Sequence, residues 1–450
     1  MKSINRRRFL ERSIQGGTGL IATMSELGAT GKAVSPSDKV VVGMMGVGGR
    51  GTFLTELFAS RPDVEIAYIC DVDSRKFARA VKVVEDLKGK KTKTVGNFQR
   101  MLEDKDVDAI VCATPDHWHA LATVLACQAG KDVYVEKPPS NDIWEGRKMV
   151  EAARKYQRMV QVGMQNRSNS YARSARDLVR SGKLGTVSLV RVFNMLNRKP
   201  VERTTDSPPP KELDWDMWLG PASLRPYNSM WSRGVFWDLT GGNITNDGIH
   251  QLDLARMVLG FSYPKAAHHA GGRLSFKDIA EVPDTTIATY EYDDLSLVIE
   301  QTWWTPYMKK APQSVRESMT LFPDWYPFYS SKIEIYGSKG MMLLGRHGGG
   351  WLLYDADGQK VASDKQKHSE MQAAHVANFV ECIRSRKRPN ADIEEGHISA
   401  AICHMANVSY RVGNRKLAFD AVTEGFVNDE QANQYLRRTY RKPWVMPEKV

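Results

Sequence analysis

Three parts of the chain carry side chains whose types and spacing suit chemistry. The first is Gly46-Val47-Gly48-Gly49-Arg50-Gly51, which fits G-x-G-x-x-G. A strand-length apolar run, Val40–Met45, precedes it, and Phe53, Leu54, Leu57 and Phe58 follow at helical spacing. In that setting Gly46 allows a tight turn, Gly48 lets backbone approach a pyrophosphate, and Gly51 lets helix and strand pack closely. Val47, Gly49 and Arg50 complete a loop whose free N–H groups, at a helix N-terminus, point at the phosphates. A second apolar run, Val64–Cys70, ends in Asp71, 20 residues past Gly51. A carboxylate there accepts hydrogen bonds from ribose hydroxyls and repels a 2′-phosphate. NAD is therefore the expected cofactor. Arg75 and Lys76 follow closely and keep NADP as the alternative.

The second part is Asn246-Asp247-Gly248-Ile249-His250-Gln251-Leu252-Asp253. A helix beginning near Asp247 would set Asp247, His250 and Asp253 on one face at i, i+3 and i+6. A histidine titrates near working pH and suits proton acceptance. Two carboxylates and an imidazole also suit manganese or zinc, but nicotinamide chemistry needs no metal, and none is expected. The third part comprises Thr114-Pro115-Asp116-His117-Trp118-His119 and Glu136-Lys137-Pro138, each just past an apolar strand-like run. Ligands of parallel α/β sheets bind at those strand ends.

The elements that position these groups are legible. Strand-like and helix-like stretches alternate through residue 164, which implies a doubly wound parallel sheet. The second half reads differently. Strand-like runs at 285–292 and 295–301 flank Asp293-Asp294, and those at 332–336 and 341–344 flank a Gly-Ser-Lys-Gly turn. Further strands are expected at 186–194 and 351–354. Successive hairpins predict an antiparallel sheet. The fold class is α/β, with a dinucleotide-binding domain over 38–160 and a C-terminal α/β domain with an open, mostly antiparallel sheet over 161–440.

These motifs resemble the glucose–fructose oxidoreductase / inositol dehydrogenase (Gfo/Idh/MocA) family. The loop 46–51, Asp71, Thr114-Pro115, His119 and Glu136-Lys137-Pro138 match in order and spacing, and Glu-Lys-Pro is the most specific element. The resemblance implies that Lys137 lies by the nicotinamide and the reacting carbinol, where its ammonium stabilises alkoxide character. It implies that His250 takes the hydroxyl proton. The family commonly has Asp four residues before that histidine. Here Asn246 stands there and Asp247 is next, so Asp247 substitutes in a relay or Asn246 only orients the sugar. Thr114, Pro115, Trp118, His119, Glu136 and Gln165 are expected at the cofactor, and Arg167 and Trp231 at the substrate. The aromatic loop 215–237 offers faces for stacking sugars. A homodimer or homotetramer is implied, paired through the sheet faces.

Composition narrows the classes. Apolar residues make 42% of 450 and charged residues 26%, which is ordinary for a globular protein. Five cysteines with no CxxC exclude a disulfide scaffold; buried free thiols are expected. Residues 1–33 carry +4 of the formal +11 charge. The remaining +7 is spread out, with no arginine-rich helix or basic–aromatic repeat, so no nucleic-acid partner is expected. The basic stretch 437–442 reads as a solvated helix end. His375, His397 and His404 read as packing or interface residues.

The start of the chain reads as an address. Arg6-Arg7-Arg8-Phe9-Leu10, then an uncharged, weakly apolar run from Ser13, resembles a twin-arginine export signal. A periplasmic location is expected, with a membrane anchor or the cytoplasm as alternatives, and the export machinery as a partner. Free nicotinamide is scarce outside the cytoplasm, so the cofactor is expected to stay bound and be recycled. One scheme oxidises one carbohydrate or polyol and reduces another. A second oxidises a glycoside at C3, eliminates the aglycone, adds water and re-reduces. The related α-N-acetylgalactosaminidases that use it carry Glu-Val-Pro in place of Glu136-Lys137-Pro138 and histidine in place of Asp247. A non-enzymatic, cofactor-bound carbohydrate-binding protein is the third class; Lys137 and His250 together argue against it.

Overall fold

A computed structural model of the chain describes residues 39–325 and 328–450. The export-signal reading of residues 1–33 lies outside the described residues.

The first sheet contains β1 (Val40–Met45), β2 (Val64–Cys70), β3 (Lys93–Val95), β4 (Ala109–Cys112), β5 (Asp132–Val135) and β6 (Val160–Val162). Their order is β3-β2-β1-β4-β5-β6, and every pairing is parallel. The central strands β4 and β5 are buried along their whole length, as strands covered on both faces must be. The crossovers include α1 (Gly49–Ala59), α2 (Phe77–Lys88), α3 (Asp116–Gln128) and α4 (Ile143–Lys155). Asp142 caps α4 by accepting from the Glu145 N–H at 2.8 Å. Because β6 pairs with β5, the first sheet runs past the boundary expected at residue 160.

After α5 (Ser170–Arg180), a second, open sheet holds ten strands. With β8 (Ala266–Gly272), β13 (Trp351–Asp355), β14 (Lys360–Asp364), β15 (Leu417–Asp420) and β16 (Gly425–Phe426) among its strands, its order is β14-β13-β12-β11-β7-β10-β9-β8-β15-β16. Among the described strands of this sheet only β7 (Val187–Met195) and β10 (Ser296–Thr302) pair in parallel; the hairpins β9/β10 (β9, Thr285–Glu291) and β11/β12 (Ser331–Gly337, Gly340–Leu344) form where the turn residues predict them. Thr286, Ala288 and Tyr290 of β9 face inward and Ile287, Thr289 and Glu291 face outward. Helices α6 (Ile249–Leu259) and α8 (Ile393–Arg411) pack on the inner face.

The two halves are interlocked. Helix α7 (His368–Ser385) returns to the first sheet, where Phe379 packs edge-on against Phe58 and Tyr134 at centroid distances of 6.2 and 5.9 Å. The stretch 437–442 is not a solvated helix end. Arg438 is buried against Asp238 at 2.9 Å and Arg441 binds Asp216 at 2.6 Å. Beyond them Trp444 meets Trp118 at 5.0 Å and Phe98 at 6.1 Å. Carboxylates some 200 positions earlier in the chain, Asp238 half-buried and Asp216 exposed, pair with these basic residues, which no charge pattern could reveal. All five cysteines are buried and free. His375, His397 and His404 are buried and bonded to Ser168, Glu424 and the Ser140 carbonyl.

Phe379→Ala removes a fully buried ring from the seam between the halves. The expected cost is about 3–5 kcal/mol in urea unfolding. Val422→Ala, at a 93% exposed position, should stay within about 0.5 kcal/mol of the parent.

Candidate active site

The turn from β1 into α1 builds an anion cradle. Gly46 has φ +81°, and a side chain there would meet the Ala113–Thr114 backbone at 2.8–2.9 Å. A Cβ at Gly51 would lie 1.8 Å from the Gly46 carbonyl oxygen. At Gly48 and Gly49 a Cβ would meet nothing within 4 Å, so the backbone opens onto free space. Helix α1 has no side-chain cap and no acid in its first turn. Its first N–H groups are left for a phosphate. A dinucleotide therefore fits.

A cleft of about 420 Å³ continues from this loop, lined by Asp71, Thr114, Pro115 and Trp118 among others. Asp71 accepts from the Val47 N–H at 2.8 Å and from the Asp73 N–H at 2.9 Å. Burial lifts its carboxyl above the usual range. Arg75 is held fork-on by Asp73 at 2.7 Å, so this guanidinium is committed to a carboxylate. That favours a ribose hydroxyl over a 2′-phosphate beside Asp71. Trp118 closes the cleft by donating from Nε1 to the Met217 and Trp218 carbonyls.

A second cleft of about 500 Å³ opens beyond Thr114 and contains Arg50, Glu136, Lys137, Gln165, Asn246, Asp247 and His250. Glu136 is 5% exposed, bonded by Arg50 Nε at 2.8 Å and faced by Tyr134 Oη and Gln165 Nε2. Burial pushes its carboxyl up, but Arg50 and Lys137 outweigh burial and hold it below the usual range. Lys137 Nζ donates to the Asn246 carbonyl and faces Asn246 Oδ1 at 3.4 Å. His119 is buried, with Nδ1 2.6 Å from the Pro138 carbonyl and Nε2 2.9 Å from that of Thr114. It thus joins the ends of β4 and β5 at the wall of this cleft.

Helical structure begins earlier than Asp247. Residues Ile244–Gly248 form a π-helical turn that runs into α6. Asp247 and His250 line the cleft, but Asp253 points away. It meets Arg167 Nε at 2.9 Å and Ser399 Oγ at 2.7 Å. That pairing takes Arg167, expected at the substrate, out of the cleft. Trp231 is also elsewhere: it packs on Phe236 and Arg225 and donates to the Pro226 carbonyl. Among the described residues no hydrogen bond joins Asp247 to His250. Asp247 instead accepts from Arg346 at 2.9 Å and lies 3.7 Å from Lys310. Burial raises its carboxyl, but Arg346 and the lysines override that and hold it well below the ordinary carboxylate range. So placed, it is a poor proton acceptor.

His250 Nδ1 is buried with no partner, and the ring stands edge-on to His347 at 4.6 Å. Burial, then Arg346 and Lys137, drives the imidazole well below its ordinary value. The poise near neutrality expected from residue type alone is thereby lost. Arg346, His347, Lys310, Arg316, His368 and Gln372 complete the cleft and escaped the sequence reading. Arg346 and His347 sit in a loop with Gly345, Gly348, Gly349 and Gly350, between β12 and β13 (Trp351–Asp355). Glycines flanking a cation and a histidine were the available signal.

Residues 40–164 match the model of the oxidoreductase family described as an NAD-binding Rossmann fold. Residues 170–268 and 348–446 match its C-terminal alpha/beta domain. The chain belongs to the Gfo/Idh/MocA oxidoreductase family. It is 23% identical over 305 residues to an uncharacterized oxidoreductase, YrbE, of Bacillus subtilis, covering 67% of this chain and 72% of that one. A glycosyl hydrolase family 109 protein of Shewanella baltica is 29% identical over 177 residues, covering 35% of this chain and 39% of that protein. Among solved structures, the WlbA dehydrogenase of Bordetella pertussis, in complex with NADH and UDP-GlcNAcA, has the same fold. Its TM-score is 0.60 at 21% identity, over 85% of this chain and 99% of that one.

Two outcomes follow. Asp71→Ala should weaken NAD binding by about 10- to 100-fold, the worth of a charge-assisted hydrogen bond, and narrow the NAD-over-NADP preference in titrations with each. A histidine with a lowered pKa stays neutral until the pH falls below its ordinary titration range. The acid limb of kcat/KM should therefore lie below about pH 6.5. A limb at or above that pH would show that His250 is not the group titrating.

Proposed function

We propose that this oxidoreductase acts on sugars or polyols, is exported, and keeps its dinucleotide bound through each cycle. The observation that carries the reading is the convergence of Lys137, His250 and Asn246 in one cleft that shares Thr114 with the dinucleotide cleft. When bound, the dinucleotide supplies the hydride acceptor and donor. Lys137 offers a remaining N–H to the substrate oxygen and stabilises its developing negative charge. His250 is neutral and accepts the hydroxyl proton. Asp247 holds Arg346 beside them and takes no proton. Glu136 and Arg50 fix the peptide that precedes Lys137. Export is supported by Arg6-Arg7-Arg8-Phe9-Leu10. Recycling follows from export, because an enzyme cut off from a nicotinamide pool stops after one turnover unless it returns the electrons.

Two further imidazoles in the cleft, His347 against His250 and His368 against His347, favour a second reading. His347 Nε2 is buried without a partner, and His368 stands at 5.7 Å from His347. Simple alcohol oxidation has one proton to remove. Oxidation at C3 followed by elimination has two, and a second imidazole could take the proton from C2. The similarity to the glycosyl hydrolase family 109 protein points the same way, although Lys137 and Asp247 depart from the pattern expected of those enzymes. Assembly is proposed through the outer sheet face, where Ile287 is 46% exposed.

Lys137→Met should lower kcat by about 100-fold or more while NAD still binds; unchanged turnover would refute the assignment. The protein should release stoichiometric nicotinamide dinucleotide on denaturation, read by mass spectrometry. Turnover of sugar pairs or glycosides without added cofactor would then separate the two readings.

A further inference from the structure

The substrate cleft holds more positive charge than its own carboxylates balance. Arg50, Lys137, Lys310, Arg316 and Arg346 line it, against Asp116, Glu136 and Asp247. Glu136 is matched to Arg50. Asp247 is divided between Arg346 at 2.9 Å and Lys310 at 3.7 Å. Asp116 accepts from Thr240 Oγ1 at 2.7 Å, outside this set. Among the described residues no acceptor meets the guanidinium of Arg316, although that residue is half-buried. Its neighbour Glu317 is engaged with Ser369 and Gln313. Burial and the nearby Arg346 hold both Arg316 and Lys310 below the ordinary values of their types. Such a cluster of cations, partly dehydrated and mutually repelling, is stabilised by an anion between them.

The dinucleotide does not account for that charge. Its phosphates have the N-terminus of α1, and its adenosine end has Asp71 in the other cleft. Lys310 and Arg316 come from the loop between β10 and β11, on the wall that also carries Asp247 and His250. We propose that the substrate is an acidic sugar or polyol whose carboxylate or phosphate is gripped by Arg316 and Lys310. This rests on the reading of the cleft as the sugar-oxidising site and narrows it. Arg316, planar and forked, fixes the orientation of the anion, and Lys310 adds an adjustable point charge.

The test is calorimetry on the full NAD-loaded protein with glucose, glucuronate and glucose 6-phosphate. At least one acid should bind about 10-fold or more tightly than glucose, and its advantage should shrink with added salt. The two acids distinguish a carboxylate site from a phosphate site. Arg316→Gln should bring the acid-over-neutral ratio down about 10-fold, toward one. Lys310→Met is the second variant should the first melt early. Equal binding of all three ligands, or variants that weaken all three equally, would overturn the proposal. Cofactor reduction, followed by absorbance, tests the parent reading separately. Acids that bind selectively without any reduction refute redox chemistry and leave the anion site. Reduction by glucose with no preference for acids does the reverse.

Discussion

Everything in the site leans on one ion pair, between a buried carboxylate and a half-buried guanidinium. Glu136 follows β5 directly and precedes Lys137, and Arg50 lies in the first turn of the helix whose N-terminus forms the phosphate cradle. Their contact ties the phosphate end of one cleft to the ammonium in the other. Taking a carboxylate out of water is costly unless its lone pairs are used. Here Arg50, Gln165 and Tyr134 surround it. The backbone allows this because a Cβ at Gly163 would fall within 2.7–2.9 Å of the Glu136 carboxylate. Arg50 also faces Gln372 of α7 at 3.3–3.4 Å, so the pair reaches across to the returning helix as well.

The field around His250 follows from the same economy of charges. Arg346 and Lys137 disfavour the imidazolium and favour an anion in the cleft. The groups that weaken the histidine as a base also acidify an alcohol placed beside it, because an alkoxide gains from those same cations. Proton transfer between the two partners is thus brought nearer to balance from the substrate side. Asp247, held ionised by Arg346, sets how strong that field becomes without taking part in the transfer.

Where sequence reasoning put residues into the two clefts or into hairpins, the information was local. The loop 46–51, Asp71, Lys137 and His250 each sit at a strand end or helix start that short-range pattern defines, and the hairpins carry their own turn residues. It missed groups delivered by long-range closure. Arg346 and His347 arrive from a glycine loop of the second sheet, Lys310 from an irregular segment, Arg316 from the end of a one-turn helix (Gln313–Arg316), and Gln372 from the first turns of α7. None of these has a period or a motif. Arg167 was misplaced because its partner, Asp253, lies on a helix 86 residues away. The face of α6 on which Asp253 lies depends on the π-helical turn before it, which residue types do not announce.

The packing of Trp444 on Trp118 and of Phe379 on Phe58 closes the first half with residues more than 300 positions downstream. Such closures are entropically slow to find. Until they form, the nascent first sheet exposes aromatic faces that would stick to other chains. The dinucleotide-binding half is therefore not a module that ripens alone while the rest follows. It reaches its final form only when the whole chain collapses together, so that ligand retention and folding cooperativity are two readouts of the same seam.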